Sequence, residues 1–322
     1  MDEALLTEAM ALLQAQRFQD AMGVLDRAIQ LDPASGRAWY CKGCALSGLG
    51  KTAEAAKCFL EATKLSPEQK SPWYNLGNAL GELGNWDGAE KCYATATRID
   101  PDDADAWINL GRAIDEQGRH AEAVATYDRA LKLAPQDAVA WANRGNSLKS
   151  LGRTADAIQS YDRALRMDPA HAPAMFGKAS GLIAQKKDAD ALSLLEVALR
   201  LTPAWTAGWV DRGIALSHLG QAEDAKAAFE QAARLSPGKE QIWNNLGEVQ
   251  ARLKQFEPAL QSFDKAIGLN TGYAPAWFGK GRALAKMGRG ADAAQTLSHF
   301  LKIAPPDDPL AHSARKYLGI VE

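Results

Sequence analysis

A period of 34 residues runs without insertion from Asp2 to Asp307, and a fixed period of that length constrains the fold more than any other feature of the chain. Nine repeats result: 2–35, 36–69, 70–103, 104–137, 138–171, 172–205, 206–239, 240–273 and 274–307. The twentieth residue is alanine in every one, from Ala21 and Ala55 to Ala293. The fourth is Trp in seven repeats (Trp39, Trp73, Trp107, Trp141, Trp209, Trp243, Trp277), with Leu5 and Met175 in the others. The eighth is Gly in seven, replaced by Ala9 and Ala179, and the thirty-second is Pro in eight, with Thr271 as the exception.

Each repeat reads as two helices. The first spans about the second to the fourteenth residue and usually meets a glycine (Gly50, Gly84, Gly118, Gly152, Gly220, Gly288). A glycine there can take the left-handed conformation that ends a helix. The second helix carries apolar residues three and four apart, as in Ala123, Tyr127, Ala130 and Leu131, and stops before the proline, which has no N–H to continue the ladder. Small residues at places eight, twenty and twenty-seven allow close backbone approach, and the Trp fills the wider gap. Full burial of a Trp is worth on the order of 4–6 kcal/mol as an upper bound. One repeat cannot cover its own apolar faces, so the repeats must stack.

These positions, W…LG…Y…A…F…A…P over 34 residues, resemble the tetratricopeptide repeat family across nearly the whole chain. The resemblance implies an all-α, right-handed superhelix of helix pairs, in which the first helix of each repeat lines a concave face and the second a convex face. Residues 308–322 read as a capping helix. Asp308 is a plausible N-cap and Pro309 the first helical residue; Leu310, Ala314, Tyr317 and Leu318 face the last repeat, while Arg315, Lys316 and Glu322 face water.

The concave face would be lined by places two, five, six, nine, twelve and thirteen. Place six holds Asn75, Asn109, Asn143 and Asn245, with Asp211 as an acidic variant; place nine holds Asn78 and Asn146, with Arg112 and Arg282. Asparagine offers both donors and an acceptor, so a ladder of them can bond the backbone of an extended peptide. Similar ladders in related arrays grip peptide backbone. Asn is also the family's common choice at these places, and a soluble, helix-compatible residue with no ligand is the competing reading. Tyr40, Tyr74, Phe176 and Phe278 at place five offer large rigid surfaces for anchoring side chains. Peptide contacts are therefore expected at Tyr40, Tyr74, Asn75, Asn78, Asn109, Arg112, Asn143, Asn146 and Asn245. Groove charge changes sign along the chain: Glu82, Asp105, Asp115 and Glu116 are acidic, whereas Arg252, Arg282 and Lys286 are basic. Such a gradient could orient a ligand or be only a solvated face. The two-carboxylate clamp known in this family requires a specific Lys, Asn and Arg set over three repeats, and no consecutive trio here supplies it.

Other motifs lose to the repeat register. The stretch from Ala45 to Thr52 satisfies a loose phosphate-loop pattern, but it is a turn between helices with no preceding strand. Cys41 and Cys44 share one helix face without the further ligands a zinc site needs, and Cys58 and Cys92 occupy a small-residue packing place. The five histidines fall at unrelated places, and no catalytic grouping or cofactor motif emerges. The sixth repeat departs most, with Met175, Ala179, Lys186, Lys187 and Trp205 at atypical places. It is either a docking point, with Phe176 and Trp205 as contacts, or drift, with Trp205 folded against the next repeat.

Composition excludes little but agrees with this. Lys and Arg number 37 against 39 Asp and Glu, which argues against a nucleic-acid or membrane-surface binder. The start lacks a basic region followed by an apolar run, no apolar stretch is long enough to span a membrane, and the four cysteines read as reduced thiols. A cytoplasmic, non-enzymatic adaptor without cofactor or metal is expected, holding an extended segment or helix of a partner protein. The alternatives are a self-assembling scaffold, or an accessory or targeting subunit of a separate enzyme.

Overall fold

The first helix of each repeat occupies places one to thirteen, or one to twelve in the fourth, and the second places seventeen to thirty. The computed structural model describes residues 2–305 and 307–320; Glu322, expected at the solvent face of the cap, lies outside them. Two compact units are present, Met1–Pro169 and Ala170–Glu322. The N-terminal unit contains α1 Asp2–Gln14, α2 Phe18–Leu31, α3 Gly36–Gly48, α4 Thr52–Leu65, α5 Lys70–Glu82, α6 Trp86–Ile99, α7 Ala104–Asp115, α8 His120–Leu133, α9 Ala138–Ser150 and α10 Thr154–Met167. The C-terminal unit contains α11 Ala172–Ala184, α12 Asp188–Leu201, α13 Thr206–His218, α14 Ala222–Leu235, α15 Glu240–Arg252, α16 Phe256–Leu269, α17 Ala274–Lys286, α18 Gly290–Ile303 and α19 Pro309–Leu318. No strand occurs among the described residues.

Local chemistry sets the boundaries. The turn glycines Gly50, Gly84, Gly118, Gly152, Gly220 and Gly288 hold φ between 73 and 79°, a region that a Cβ disfavours. Where the sequence lacks glycine at this place, Gln16, Lys186 and Lys254 adopt φ of 57, 60 and 60°, so the turn is imposed by the packing of its flanking helices. First helices are capped where an acceptor is available: Asp103 Oδ1 accepts from the Ala106 N–H at 3.0 Å, and Asp137 Oδ1 from the Ala140 N–H at 2.6 Å.

The core follows a size rule between places eight and twenty-four. A Cβ on Gly77, Gly111, Gly145, Gly213 or Gly247 would lie 2.6–2.8 Å from the ring of Tyr93, Tyr127, Tyr161, Phe229 or Phe263. These rings are buried. Where place eight is Ala9 or Ala179, place twenty-four is the smaller Leu25 or Leu195, both fully buried. Only Gly281 pairs with a leucine, Leu297. Outside the last repeat, volume is conserved across the helix pair, as dense packing requires.

The tryptophans of place four differ from expectation. They are half-buried, so the full-burial energy overstates their contribution. Each instead donates its indole N–H to the backbone carbonyl six residues earlier: Trp39 to Pro33, Trp73 to Pro67, Trp107 to Pro101, Trp141 to Pro135, Trp209 to Pro203, Trp243 to Pro237 and Trp277 to Thr271, at 2.8–3.0 Å. Cations cover several outer ring faces, such as Arg129 over Trp107 at 4.6 Å and Lys265 over Trp243 at 4.1 Å. The tryptophan thus pins the loop between repeats and only partly fills the core.

At the C-terminal end α19 packs through Ala311 and Ala314, 2% and 0% exposed, with Leu318 beside them. The expected roles of Leu310 and Tyr317 are corrected: they are 37% and 45% exposed. Alanines three apart let the short helix sit close to α18, and that approach turns the longer side chains outward. Arg315, expected in water, is half-buried.

Candidate functional site

Within each unit the first helices of successive repeats approach one another more closely than the second helices do, as α1 does α3, α7 does α9, α11 does α13 and α15 does α17. They line the inner side of each stack, so a ligand in the groove meets residues of the first helices.

In the N-terminal unit four of the five predicted asparagines are tied to tyrosines. Asn75 Nδ2 donates to the Tyr40 hydroxyl at 3.0 Å, and Asn109 Nδ2 to the Tyr74 hydroxyl at 2.8 Å. From the other direction, the Tyr93 hydroxyl donates to Asn78 Oδ1, and the Tyr161 hydroxyl to Asn146 Oδ1, both at 2.7 Å. Asn78 also faces the Tyr74 hydroxyl. Asn75 and Asn109 at place six therefore each spend an N–H inside the protein and keep the acceptor Oδ1, whereas Asn78 and Asn146 at place nine spend Oδ1 and keep at least one N–H. Burial pushes the Tyr40 hydroxyl up to about 12 and raises those of Tyr74, Tyr93 and Tyr161, so these hydroxyls remain neutral donors near neutral pH.

The other expected contacts are placed as follows. Tyr40 and Tyr74 are half-buried, their rings packed on Phe59 and Tyr93 at centroid distances of 5.9 Å. They hold asparagines and offer only part of their surface to a ligand. Phe176 and Phe278 are 5% and 6% exposed, which withdraws them as free anchors. Arg112 is exposed, its guanidinium 5.4 Å from the Trp86 ring. Asn143 is half-buried and makes no side-chain hydrogen bond among the described residues. Asn245, in the other unit, lines a small cavity of about 170 Å³ with Ser217, His218, Glu248 and Arg252; the Ser217 hydroxyl there is buried without a partner. Of the acidic set, Asp115 bonds His120 Nδ1 at 2.8 Å and accepts from the Ser147 hydroxyl at 2.7 Å, and Glu82 accepts from Thr52 at 3.1 Å. Asp105 and Glu116 are exposed.

The basic residues of the C-terminal unit come together. A cavity of about 870 Å³ lies between the ends of α15 and α17 and the face of α19. Phe278, Ala283, Ala285 and Leu297 supply apolar lining, and Arg252, Lys254, Arg282 and Lys286 surround it. Sequence reasoning picked out three of these cations. It missed Lys254, hidden at a turn place where other repeats carry glycine, and it missed Tyr317, assigned to the core.

The cysteines are free thiols. Burial raises Cys44 and Cys92 to about 11 and Cys41 and Cys58 above the ordinary thiol value, which makes them poor nucleophiles. Among the described residues no group of three or more His, Cys, Asp or Glu could hold a metal ion, and no helix is long and apolar enough to cross a membrane. Trp205 stacks on Phe176 of its own repeat at 5.4 Å and 9° and is 46% exposed.

An all-helical stack of paired 34-residue units, with first helices on the inner side, defines the class: a repeat scaffold for protein interaction. Sequence profiles described as tetratricopeptide repeat match residues 6–70, 74–138, 143–204 and 210–274, and two further profiles so described match residues 126–159 and 254–316. The chain belongs to the tetratricopeptide repeat family. No curated protein matches it in sequence. Among solved structures it is similar to YrrB, described as a tetratricopeptide protein with an unusual peptide-binding site (24% identity, TM-score 0.50, covering 58% of this chain and 97% of that one). It is also similar to a tetratricopeptide repeat protein from Parabacteroides merdae (16% identity, TM-score 0.56, covering 78% and 98%). At these identities the likeness establishes the fold alone.

Proposed function

We propose that the chain is an adaptor that binds an extended segment of a partner protein along the first helices of its N-terminal unit, with the nine repeats and the closing helix as its building blocks. One observation carries this reading: tyrosine hydroxyls orient four asparagine amides so that Asn75 and Asn109 keep acceptors while Asn78 and Asn146 keep at least one N–H each. An extended backbone presents N–H and C=O groups in alternation, and a row with both polarities can bond it without reading its side chains. The exposed Arg112 adds a cation to the same face. Orientation before binding lowers the entropy cost of forming these bonds.

The test uses twelve-residue peptides selected on the full chain from a random display library, with binding read by fluorescence anisotropy. Asn109→Ala with Asn143→Ala is expected to weaken the selected peptides at least about tenfold, the scale of losing one or two buried hydrogen bonds. N-methylating the peptide backbone at alternate residues should do the same. Unchanged affinity in both cases refutes the reading. Co-purification of an enzyme, or concentration-dependent sedimentation, would favour the accessory-subunit or self-assembly alternatives.

A further inference from the structure

The cavity beside α19 is separate from the asparagine face and lies wholly in the C-terminal unit. Its lining contains Phe278, buried against Phe300 with ring centroids 5.3 Å apart, and the buried Leu297. Every charged residue lining it is basic. Arg282 pairs with Glu248 at 2.8 Å, and its guanidinium lies 5.6 Å from the Phe278 ring. Among the described residues Arg252 bonds only the backbone carbonyl of Ser217, at 3.5 Å. Neither Lys254 nor Lys286 has an ion-pair partner among the described residues. Arg252 and Lys286 occupy the last turns of α15 and α17, where a cation also offsets the carbonyl end of a helix. That role requires no cavity and no apolar lining beside them.

We propose that this cavity docks an acidic segment of a partner protein that carries one bulky apolar side chain. The apolar side chain enters over Phe278 and Leu297, and carboxylates flanking it meet Arg252, Lys254 and Lys286. The proposal shares with the preceding section the view that the chain binds protein segments, but it rests on other residues and another unit. Two elements together specify the occupant. An apolar lining alone accepts any hydrophobic residue, and a basic rim alone attracts any anion; both at one cavity select for an apolar anchor between acids. The carboxylates would also shorten the search by steering, so affinity should fall as salt rises.

The experiment displays a random library of twelve-residue peptides and selects it on the full chain and on Arg252→Glu/Lys286→Glu, two exposed positions. The wild type is expected to enrich Phe, Trp or Leu with Asp or Glu within two or three residues. Enriched peptides should lose about tenfold or more in affinity on the charge-reversed variant, and that variant should enrich Lys and Arg in their place. A second variant, Ala285→Trp, fills the cavity without changing its charge and should also abolish their binding. Circular dichroism confirms that both variants are folded. The inference is overturned if the wild type enriches no acidic anchored peptides, or if both variants bind the enriched set as well as wild type. It is equally overturned if Asn109→Ala/Asn143→Ala abolishes their binding while charge reversal does not, an outcome that would leave the asparagine-face reading standing.

Discussion

Adding one methyl group at Gly111 tests the size rule of the core. Its Cβ would lie 2.7, 2.9 and 3.0 Å from three atoms of the Tyr127 ring, whereas ordinary contact begins near 3.4 Å, so the ring must retreat by about 0.7 Å. Tyr127 is 1% exposed, and a ring enclosed on all sides cannot swing away. Overpacking of this kind costs roughly 1–3 kcal/mol; the higher helix propensity of alanine returns up to about 1 kcal/mol. A net loss of about 1–2 kcal/mol is expected for Gly111→Ala. Tyr127→Leu alone leaves a void and should cost about 2–4 kcal/mol. The double variant recreates the pairing of Ala9 with Leu25 and of Ala179 with Leu195, and should recover at least about 1 kcal/mol relative to the sum of the single changes. The assay is urea denaturation followed by circular dichroism. Midpoints are compared at equal slope, since repeat arrays can unfold in stages. An alanine at 111 that costs nothing, or a cycle additive to within about 0.5 kcal/mol, would refute the idea that places eight and twenty-four are matched by volume.

Lys254→Gly should stabilise by about 0.5–1 kcal/mol, since φ of 60° strains an L residue but glycine loses more freedom on folding; a lower melting temperature would contradict this. Trp107→Phe deletes the 2.8 Å bond to Pro101 and should cost about 1 kcal/mol by denaturation. Alkaline pH should destabilise the fold. Tyr40, Cys44 and Cys92 are held above their unfolded values by burial, at about 12, 11 and 11, so the unfolded chain releases protons first. The stabilisation is intact below about pH 9, where unfolded thiols begin to ionise, and is lost progressively towards pH 12. Melting temperatures at pH 8, 10 and 11 should fall in that order. For the same reason Cys44 and Cys92 should resist iodoacetamide at pH 8 in the native protein and react promptly in urea, which mass spectrometry can follow.

The architecture was legible because its signals are local or strictly periodic. Glycine after the first helix, proline after the second and alanine at place twenty each act within a few residues. The asparagine bonds were harder to read, because the partner of Asn109 is Tyr74, thirty-five residues earlier. A signal was nevertheless available: tyrosine at place five of one repeat precedes asparagine at place six of the next in both cases. Tryptophan misled because its bulk suggests a core, whereas its N–H needs an acceptor that the edge of the stack provides. The basic cavity was half-visible: Arg252, Arg282 and Lys286 stood out, but the hollow between them depends on α19 packing through Ala311 and Ala314. Composition does not reveal that rotation, since Tyr317 and Leu310 look equally suited to burial.

The matched volumes at places eight and twenty-four also bear on how such a chain can lengthen or recombine. Duplicating a whole repeat copies both halves of the match and leaves the interior sound. A crossover inside the turn that joined the first helix of the first or sixth repeat, with Ala9 or Ala179, to a second helix bearing a ring at place twenty-four would fail sterically, whereas one between two glycine–ring repeats keeps the match. The first and sixth repeats can therefore be moved only as whole helix pairs, while the glycine–ring repeats tolerate a break in either turn.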